Sequence, residues 1–224
     1  MNMNSCKTAN IAAILFSIAV VSSAQSGTDE ESQQYLFREF SPAMIKLKAG
    51  GSQTADLNYN IVSGKMVFMR DGAPYDMLSP ILIDTVYLQN CTFVRVNNSF
   101  FELLVNAPVS LFLQHKGSLT LAGKPSGYGT TSTTSSITSV SVIGDNYKNY
   151  NLKLPSEFKV TREDIYWIRN AGGELESFTN QRQFLSLFPD ISKQLQAHIK
   201  AGKIKFDRKE EVAELIRFSN ELIK

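Results

Sequence analysis

The side chains that most often carry out catalysis are few in this chain and lie far apart. Its histidines are His115 and His198, and its cysteines are Cys6 and Cys91. A zinc site needs three or four ligands held close together, and no second histidine or cysteine stands at ligand spacing from either histidine. The sequence therefore predicts no metal site and no cofactor.

Cys91 and several aspartates are the remaining candidates for hydrolytic chemistry. A cysteine nucleophile needs a neighbouring base and a polar, partly open site, whereas Cys91 begins a run of residues typical of a strand. A carboxylate pair drawn from Asp71, Asp76 or Asp84 is the other possibility. A small periplasmic hydrolase that uses a carboxylate pair or Cys91 is thus the alternative to a binding function.

Four aromatic residues are the candidates for ligand contact: Tyr128, Tyr147, Tyr150 and Trp167. Aromatic rings anchor protein interfaces, and the same rings can stack on sugars. Because side chains alternate along a strand, half of the aromatics in strands are expected to belong to the core. The pattern favours a non-enzymatic binding or protein-interaction module, with an unknown envelope protein or glycan as its partner.

The first residues have the pattern of a secretory signal. Lys7 precedes an apolar run over residues 9–21, and Ser22-Ser23-Ala24 places small residues where signal peptidase requires them. The run is shorter than the roughly 20 residues that cross a bilayer. We therefore predict a signal peptide over residues 1–24, export to the periplasm or the extracellular space, and no transmembrane span in the mature protein.

Charge and cysteine content limit the possible partners of the exported chain. The full sequence has 23 basic and 21 acidic side chains, so loss of Lys7 leaves a net charge of +1. Such a balance gives no strong field for nucleic acid. Since Cys91 is then the only cysteine, an intramolecular disulfide is impossible. An apolar core must hold the protein together, which fits a bacterial periplasm or cell surface.

Strand patterns dominate the middle of the chain. After a partly flexible lead-in over residues 25–41, short alternating runs separated by turn signals such as Asp71-Gly72 predict a β-rich body over residues 42–178. The Ser/Thr-rich segment is interpreted as an exposed loop over residues 123–135 followed by a strand. Near Trp167, two strand patterns flank a glycine turn and predict a hairpin.

Helical periodicity begins only in the last part of the chain, over residues 179–224. Thr179 or Asn180 is expected to cap a first helix, Asp190 to open a second that Gly202 ends, and Asp207 to cap a third. Helices of this length are marginal alone, so they must pack on the sheet. The predicted fold class is α+β, an antiparallel β-rich roll, barrel or sandwich followed by a C-terminal three-helix lid.

Several segments resemble those of secreted Bacteroidetes proteins of unknown function with a β-rich body and a C-terminal helical segment. The segments include the runs over residues 128–132 and 184–190, and the resemblance covers most of the mature chain. It implies export and architecture, and it supplies no catalytic residues. In such bacteria Asp84-Thr85-Val86 is similar to an O-glycosylation acceptor, which makes Thr85 a possible modification site; a plain strand threonine is the alternative.

Overall fold

The computed structural model describes residues 33–77, 80–106, 108–121, 136–137, 158–170 and 172–223. Within these residues the strands come first and the helices follow, which confirms the predicted α+β class. The predicted signal peptide (residues 1–24), the first part of the lead-in and the predicted loop (residues 123–135) lie outside the described residues.

The described residues form β-strands, three α-helices and two short 3-10 turns. The strands are β1 (Ser41–Leu47), β2 (Ser52–Asn60), β3 (Lys65–Arg70), β4 (Ala73–Asp76), β5 (Ile83–Leu88), β6 (Cys91–Val96), β7 (Ser99–Val105), β8 (Ser110–Leu121), β9 (Ser136–Ile137), β10 (Phe158–Arg169) and β11 (Leu175–Phe178). The helices are α1 (Gln181–Ser186), α2 (Ser192–Gly202) and α3 (Lys209–Leu222), and the 3-10 turns are Pro80–Leu82 and Pro189–Ile191.

The strands form one antiparallel sheet. Its hydrogen-bonded order is β11-β10-β8-β7-β6-β5-β1-β2-β3-β4, and β9 pairs with β8 beside this path. The predicted hairpin around the glycine turn is present as β10 and β11. The path does not close on itself, so the sheet is not the closed barrel that the sequence allowed. The edge strand β4 is short and contains Pro74, which lacks an N–H group and discourages pairing with another strand.

Although the path is open, the sheet curls until two distant parts of it meet. Gly117 N on β8 donates to Ile61 O just after β2, at 2.7 Å. A Cβ atom at Gly117 would lie 2.9 Å from Ile61 Cγ1, closer than side chains tolerate. Glycine is therefore required where this turn crosses β8.

The curl gives the sheet an inner and an outer face. On the inner face one apolar core fills the curl, and it includes Leu57, Tyr59 and Phe93. A second core, which includes Leu111 and Leu113 of β8, lies between the sheet and the helices. The outer face carries Phe101, Phe112 and Trp167, which belong to a separate apolar cluster.

The ends of the helices agree with the sequence in part. The Asn180 side chain caps α1 by accepting from Gln183 N, as predicted. The helix α2 ends at Gly202 as predicted, but it begins at Ser192 because residues 189–191 form a 3-10 turn instead of a helical start at Asp190.

The predicted Asp207 cap is wrong. The N-cap of α3 is Arg208, and its side chain makes no capping bond. The carboxylate of Glu211 binds the preceding turn instead, accepting from Lys205 N at 2.7 Å and from Arg208 Nη1 at 2.8 Å. Among the described residues no helix is long and apolar enough to cross a membrane.

Candidate functional site

A chain of ionisable side chains lies on the inner face, where α3 meets the sheet. It contains Glu102 on β7, His115 on β8, Asp164 on β10 and Lys209, the first residue of α3. Asp164 stands directly opposite His115 in the strand register, so both side chains project to the same side. Glu102 is only 4% exposed and His115 only 8%. Burial of charged groups is costly unless they are paired.

Each group in this chain is paired with a group of opposite charge. His115 Nδ1 lies 2.9 Å from Asp164 Oδ1, and Nε2 lies 2.8 Å from Glu102 Oε2. Lys209 Nζ donates to Glu102 Oε1 at 2.6 Å. A histidine with a carboxylate at both nitrogens is best satisfied as an imidazolium that donates twice. The four groups then alternate in sign and sum to no net charge.

The pKa values follow from these contacts. Burial raises the pKa of Glu102, but hydrogen bonds from His115 and Lys209 outweigh it and hold the pKa at about 2. Burial lowers the pKa of His115, yet hydrogen bonds to Asp164 and Glu102 raise it above its ordinary value. Burial also lowers the pKa of Lys209, and the bond to Glu102 raises it overall. Glu102 and Lys209 are therefore charged at neutral pH, and the contacts of His115 favour its imidazolium form.

Cys91 lies next to Lys209, at one end of the row of ionisable side chains, but it is poorly suited to be a nucleophile. Lys209 Nζ donates to its sulfur at 3.9 Å. Burial and the nearby Glu102 carboxylate raise the pKa of the thiol to about 11, and Lys209 offsets this only in part. The thiolate is the reactive species, so the thiol is almost wholly unreactive at neutral pH. His115 cannot act as its base, because both ring nitrogens already face carboxylates.

A cavity of about 330 Å³ opens beside the ionisable chain. His115, Asp164 and Lys209 contribute to its wall. Its other ionisable lining residues are Lys116, Arg162, Tyr166, Asp207, Arg208 and Glu210. Arg162 is used within the fold, since its Nη2 donates to Tyr35 O at 2.6 Å. Because the buried charges neutralise one another, their clearest role is to fix the start of α3 on β7 and β8.

The outer face presents apolar side chains that no helix covers among the described residues. Val94 stands opposite Phe101, Leu103 opposite Phe112, and Phe112 opposite Trp167. Every member of this apolar cluster comes from a strand, whereas the apolar sides of the helices join the inner core. We name this surface the outer apolar face. Tyr87 of β5 lies on the same side of the sheet, opposite Thr92 of β6.

A groove of about 810 Å³ borders the outer apolar face. Its wall includes Leu103 and Phe112 of that face together with cations, amides and one carboxylate. The polar lining residues are Lys48, Asp84, Thr85, Arg95, Asn97, Asn98, Asn106, Ser110 and Arg169. The guanidinium of Arg169 lies over the Phe112 ring, 4.9 Å from its centroid.

The residues predicted from the sequence to bind ligands are only partly placed. Trp167 is half-buried on the outer apolar face, and its Nε1 donates to Gln114 Oε1 at 3.0 Å. Tyr128, Tyr147 and Tyr150 lie outside the described residues. Thr85 is 8% exposed on β5 and its hydroxyl donates to Asp84 Oδ2 at 3.0 Å, so its glycosylation stays a prediction.

The candidate carboxylates and the second histidine are also placed. Asp71 forms a turn with a positive φ of 52°, and Asp76 pairs with Lys65 at 3.0 Å. Asp84 lines the outer groove, away from the buried Glu102. His198 stacks on Phe218 with ring centroids 4.0 Å apart, as expected of a packed side chain. The carboxylates that do flank a common group are Glu102 and Asp164, which the sequence did not single out.

The comparisons with known proteins give no family for this chain. Neither protein-family models nor curated proteins nor solved structures contain a match to it. Among the described residues, no group of three or more histidine, cysteine or acidic side chains is arranged to hold a metal ion. The function must therefore be argued from the two sites themselves.

Proposed function

We propose that the protein is an exported, envelope-associated binding module that contacts its partner through the outer apolar face. One observation carries the proposal: partly exposed apolar side chains from neighbouring strands, Val94, Leu103 and Trp167, surround the buried Phe101 and Phe112 on a face that no helix covers among the described residues. Large uncovered apolar patches commonly mark interaction sites. Trp167, predicted from the sequence as a contact residue, lies within this patch.

The geometry favours binding over hydrolysis. In the rival proposal, a small periplasmic hydrolase would use a carboxylate pair or Cys91. A catalytic base needs a free lone pair within reach of its substrate, yet both nitrogens of His115 are bonded to carboxylates. Glu102 is likewise bonded at both oxygens, to His115 and Lys209. These groups are arranged to neutralise one another, and their role is structural in this proposal.

The test compares two tyrosines of almost equal exposure on opposite faces. Tyr87 on the outer face is 39% exposed, and Tyr75 on β4 is 38% exposed. The register places Tyr75 opposite Phe68, which stands opposite Leu57 of the inner core, so Tyr75 does not belong to the outer face. Tyr87→Lys and Tyr75→Lys therefore form a matched pair.

The protein and both variants would be immobilised and exposed to an envelope extract, and the retained components identified by mass spectrometry. We expect a defined component to be retained by the unchanged protein and by Tyr75→Lys, and to be lost with Tyr87→Lys. Equal retention by both variants would contradict the proposal. So would turnover of a model ester or glycoside that is abolished by Glu102→Gln in a variant that still folds.

A further inference from the structure

The outer groove has an excess of positive charge that the fold leaves unpaired. Lys48, Arg95 and Arg169 line it, against the single carboxylate of Asp84. None of these three cations pairs with a carboxylate in the described part of the chain. Asp84 instead accepts from the Thr85 hydroxyl at 3.0 Å. This differs from the ionisable side chains on the inner face, where each cation has an acidic partner.

The Nε atom of Arg95 also lacks a hydrogen-bond partner in the described structure. It is one of two buried side-chain polar atoms there that make no hydrogen bond. Leaving a buried donor unsatisfied is costly. Arg95 stands opposite Phe100 of the inner core in the strand register, however, so its side chain is not assigned to a ligand of the outer groove.

Arg169 is held in a position suited to a planar anion. Its guanidinium carbon lies over the Phe112 ring, 4.9 Å from the ring centroid, in a cation–π contact. A guanidinium can donate two parallel hydrogen bonds to a carboxylate, which a lysine ammonium cannot. Arg169 therefore gives the groove a directional donor for a carboxylate, with Lys48 as a further cation in the wall.

The strands that line the groove limit what kind of polymer can bind. β5, β6, β7, β8 and β10 are all interior strands, each hydrogen-bonded to a neighbour on both sides. A peptide therefore cannot add to the sheet as an extra strand at this place. Recognition must use side chains, and the amides of Asn97, Asn98 and Asn106 can both donate to and accept from hydroxyl groups.

We propose that this groove binds a carboxylate-bearing glycan, with a sugar carboxylate at Arg169 and sugar hydroxyls at the asparagines. This deepens the proposed function and rests on it, because the groove borders the outer apolar face and shares Leu103 and Phe112 with it. The partner of the binding module is then an acidic polysaccharide and not a neutral one.

Trp167 gives the binding assay its signal. It is the only tryptophan in the chain, and it stands opposite Phe112, whose ring lies beneath Arg169. The full chain would be titrated with oligogalacturonate while tryptophan fluorescence is recorded. A neutral glucose oligomer of equal length and a polyglutamate of equal charge would be titrated in parallel.

We expect saturable binding of oligogalacturonate that weakens as salt is added, and at least tenfold weaker binding of the other two polymers. Arg169→Gln should weaken binding about tenfold or more. Lys48→Gln, at an exposed cation, should weaken it several-fold. Lys193→Gln, an exposed cation on α2, should leave it unchanged. Thermal unfolding of each variant would confirm that the fold is intact, and Lys48→Gln tests the groove without touching the ring contact.

Three results would overturn the inference. They are absence of oligogalacturonate binding, equal binding of the neutral oligomer, and equal or tighter binding of polyglutamate, which would indicate an acidic peptide. The proposed function is judged separately by the tyrosine pair. If an envelope component depends on Tyr87 but binds Arg169→Gln as tightly as the unchanged protein, the groove inference fails while the binding function stands.

Discussion

Glu102 is the residue whose replacement should most clearly test the inner ionisable chain. Its two oxygens bind His115 and Lys209, and it is almost fully buried. Glu102→Gln keeps the shape of the side chain but removes its charge, leaving two cations without their common partner. Removing one partner of a buried ion pair is strongly destabilising because it leaves uncompensated charge. We expect a large loss of stability at neutral pH.

The pKa of Glu102 gives the size of this effect. It falls from its ordinary value of 4.5 to about 2 in the folded protein. At about 1.4 kcal/mol per pH unit, this difference corresponds to about 3 kcal/mol of folding free energy. Because the folded-state pKa is lowered, the contribution is complete above pH 4.5 and is lost as the pH falls towards 2. About 60% of it should be lost by pH 3.

Urea unfolding at pH 7 and at pH 3 would measure the effect. Relative to the unchanged protein, Glu102→Gln should be less stable by about 3 kcal/mol at pH 7, and the difference should shrink to about 1.4 kcal/mol at pH 3. Glu163→Gln is the matched control, because Glu163 is an exposed carboxylate on β10 next to Asp164. It should leave the stability at both pH values nearly unchanged.

The reasoning would be refuted if Glu102→Gln lost as much stability between pH 7 and pH 3 as the unchanged protein. The acid sensitivity would then arise from other carboxylates, and Glu102 would not be the ionised group that pairs with His115 and Lys209.

Three further predictions concern the same region and the packing around it. Because the pKa of His115 is raised above 6.5 in the folded protein, its ion pairs stabilise the fold fully below pH 6.5, and this stabilisation is lost as the pH rises through the folded-state pKa. Urea unfolding of His115→Gln at increasing pH should lack this loss of stability. Because the pKa of Cys91 is near 11 in the folded protein instead of 9.0, its thiol should react with iodoacetamide at pH 8 about 100-fold more slowly than in denaturant. Mass spectrometry of the Cys91 peptide would measure both rates, and equal rates would contradict the prediction. Phe184→Ala should cost about 3–5 kcal/mol by urea unfolding, since Phe184 is fully buried between β11 and the helices, whereas Ile223→Ala at the exposed end of α3 should cost less than about 1 kcal/mol.

The order of elements was predictable because it depends on local sequence. Alternation marked the strands, glycine marked the hairpin between β10 and β11, and Asn180 marked the start of α1. The Asp207 cap was mispredicted because a carboxylate three residues before a glutamate is only one of two ways to satisfy the first turn. In the folded chain Glu211 satisfies the preceding turn instead. Local sequence patterns likewise could not predict whether the sheet closes into a barrel, because closure depends on which distant strands pair.

The inner ionisable chain was missed for a related reason. Glu102 and His115 stand in strand runs whose same-side neighbours are apolar, and a charge at such a position requires a partner. That signal was present, but the partners come from β10 and α3, far along the chain. Sequence spacing can show whether His115 has a metal-ligating neighbour, but it cannot show a carboxylate that the fold brings from a distant strand.

The contrast between the two faces has a consequence for where a partner can bind. On the inner face the carboxylates and cations of the buried chain satisfy one another, so a charged ligand there would have to displace Glu102 or Asp164 from His115. On the outer face Arg169 has no acidic partner among the described residues, so a ligand carboxylate would not have to break an ion pair there. Displacing a buried ion pair costs several kcal/mol, whereas filling an unpaired guanidinium gains a charge-assisted bond. A charged partner is therefore expected to bind on the outer face, even though the more strongly perturbed pKa values lie on the inner one.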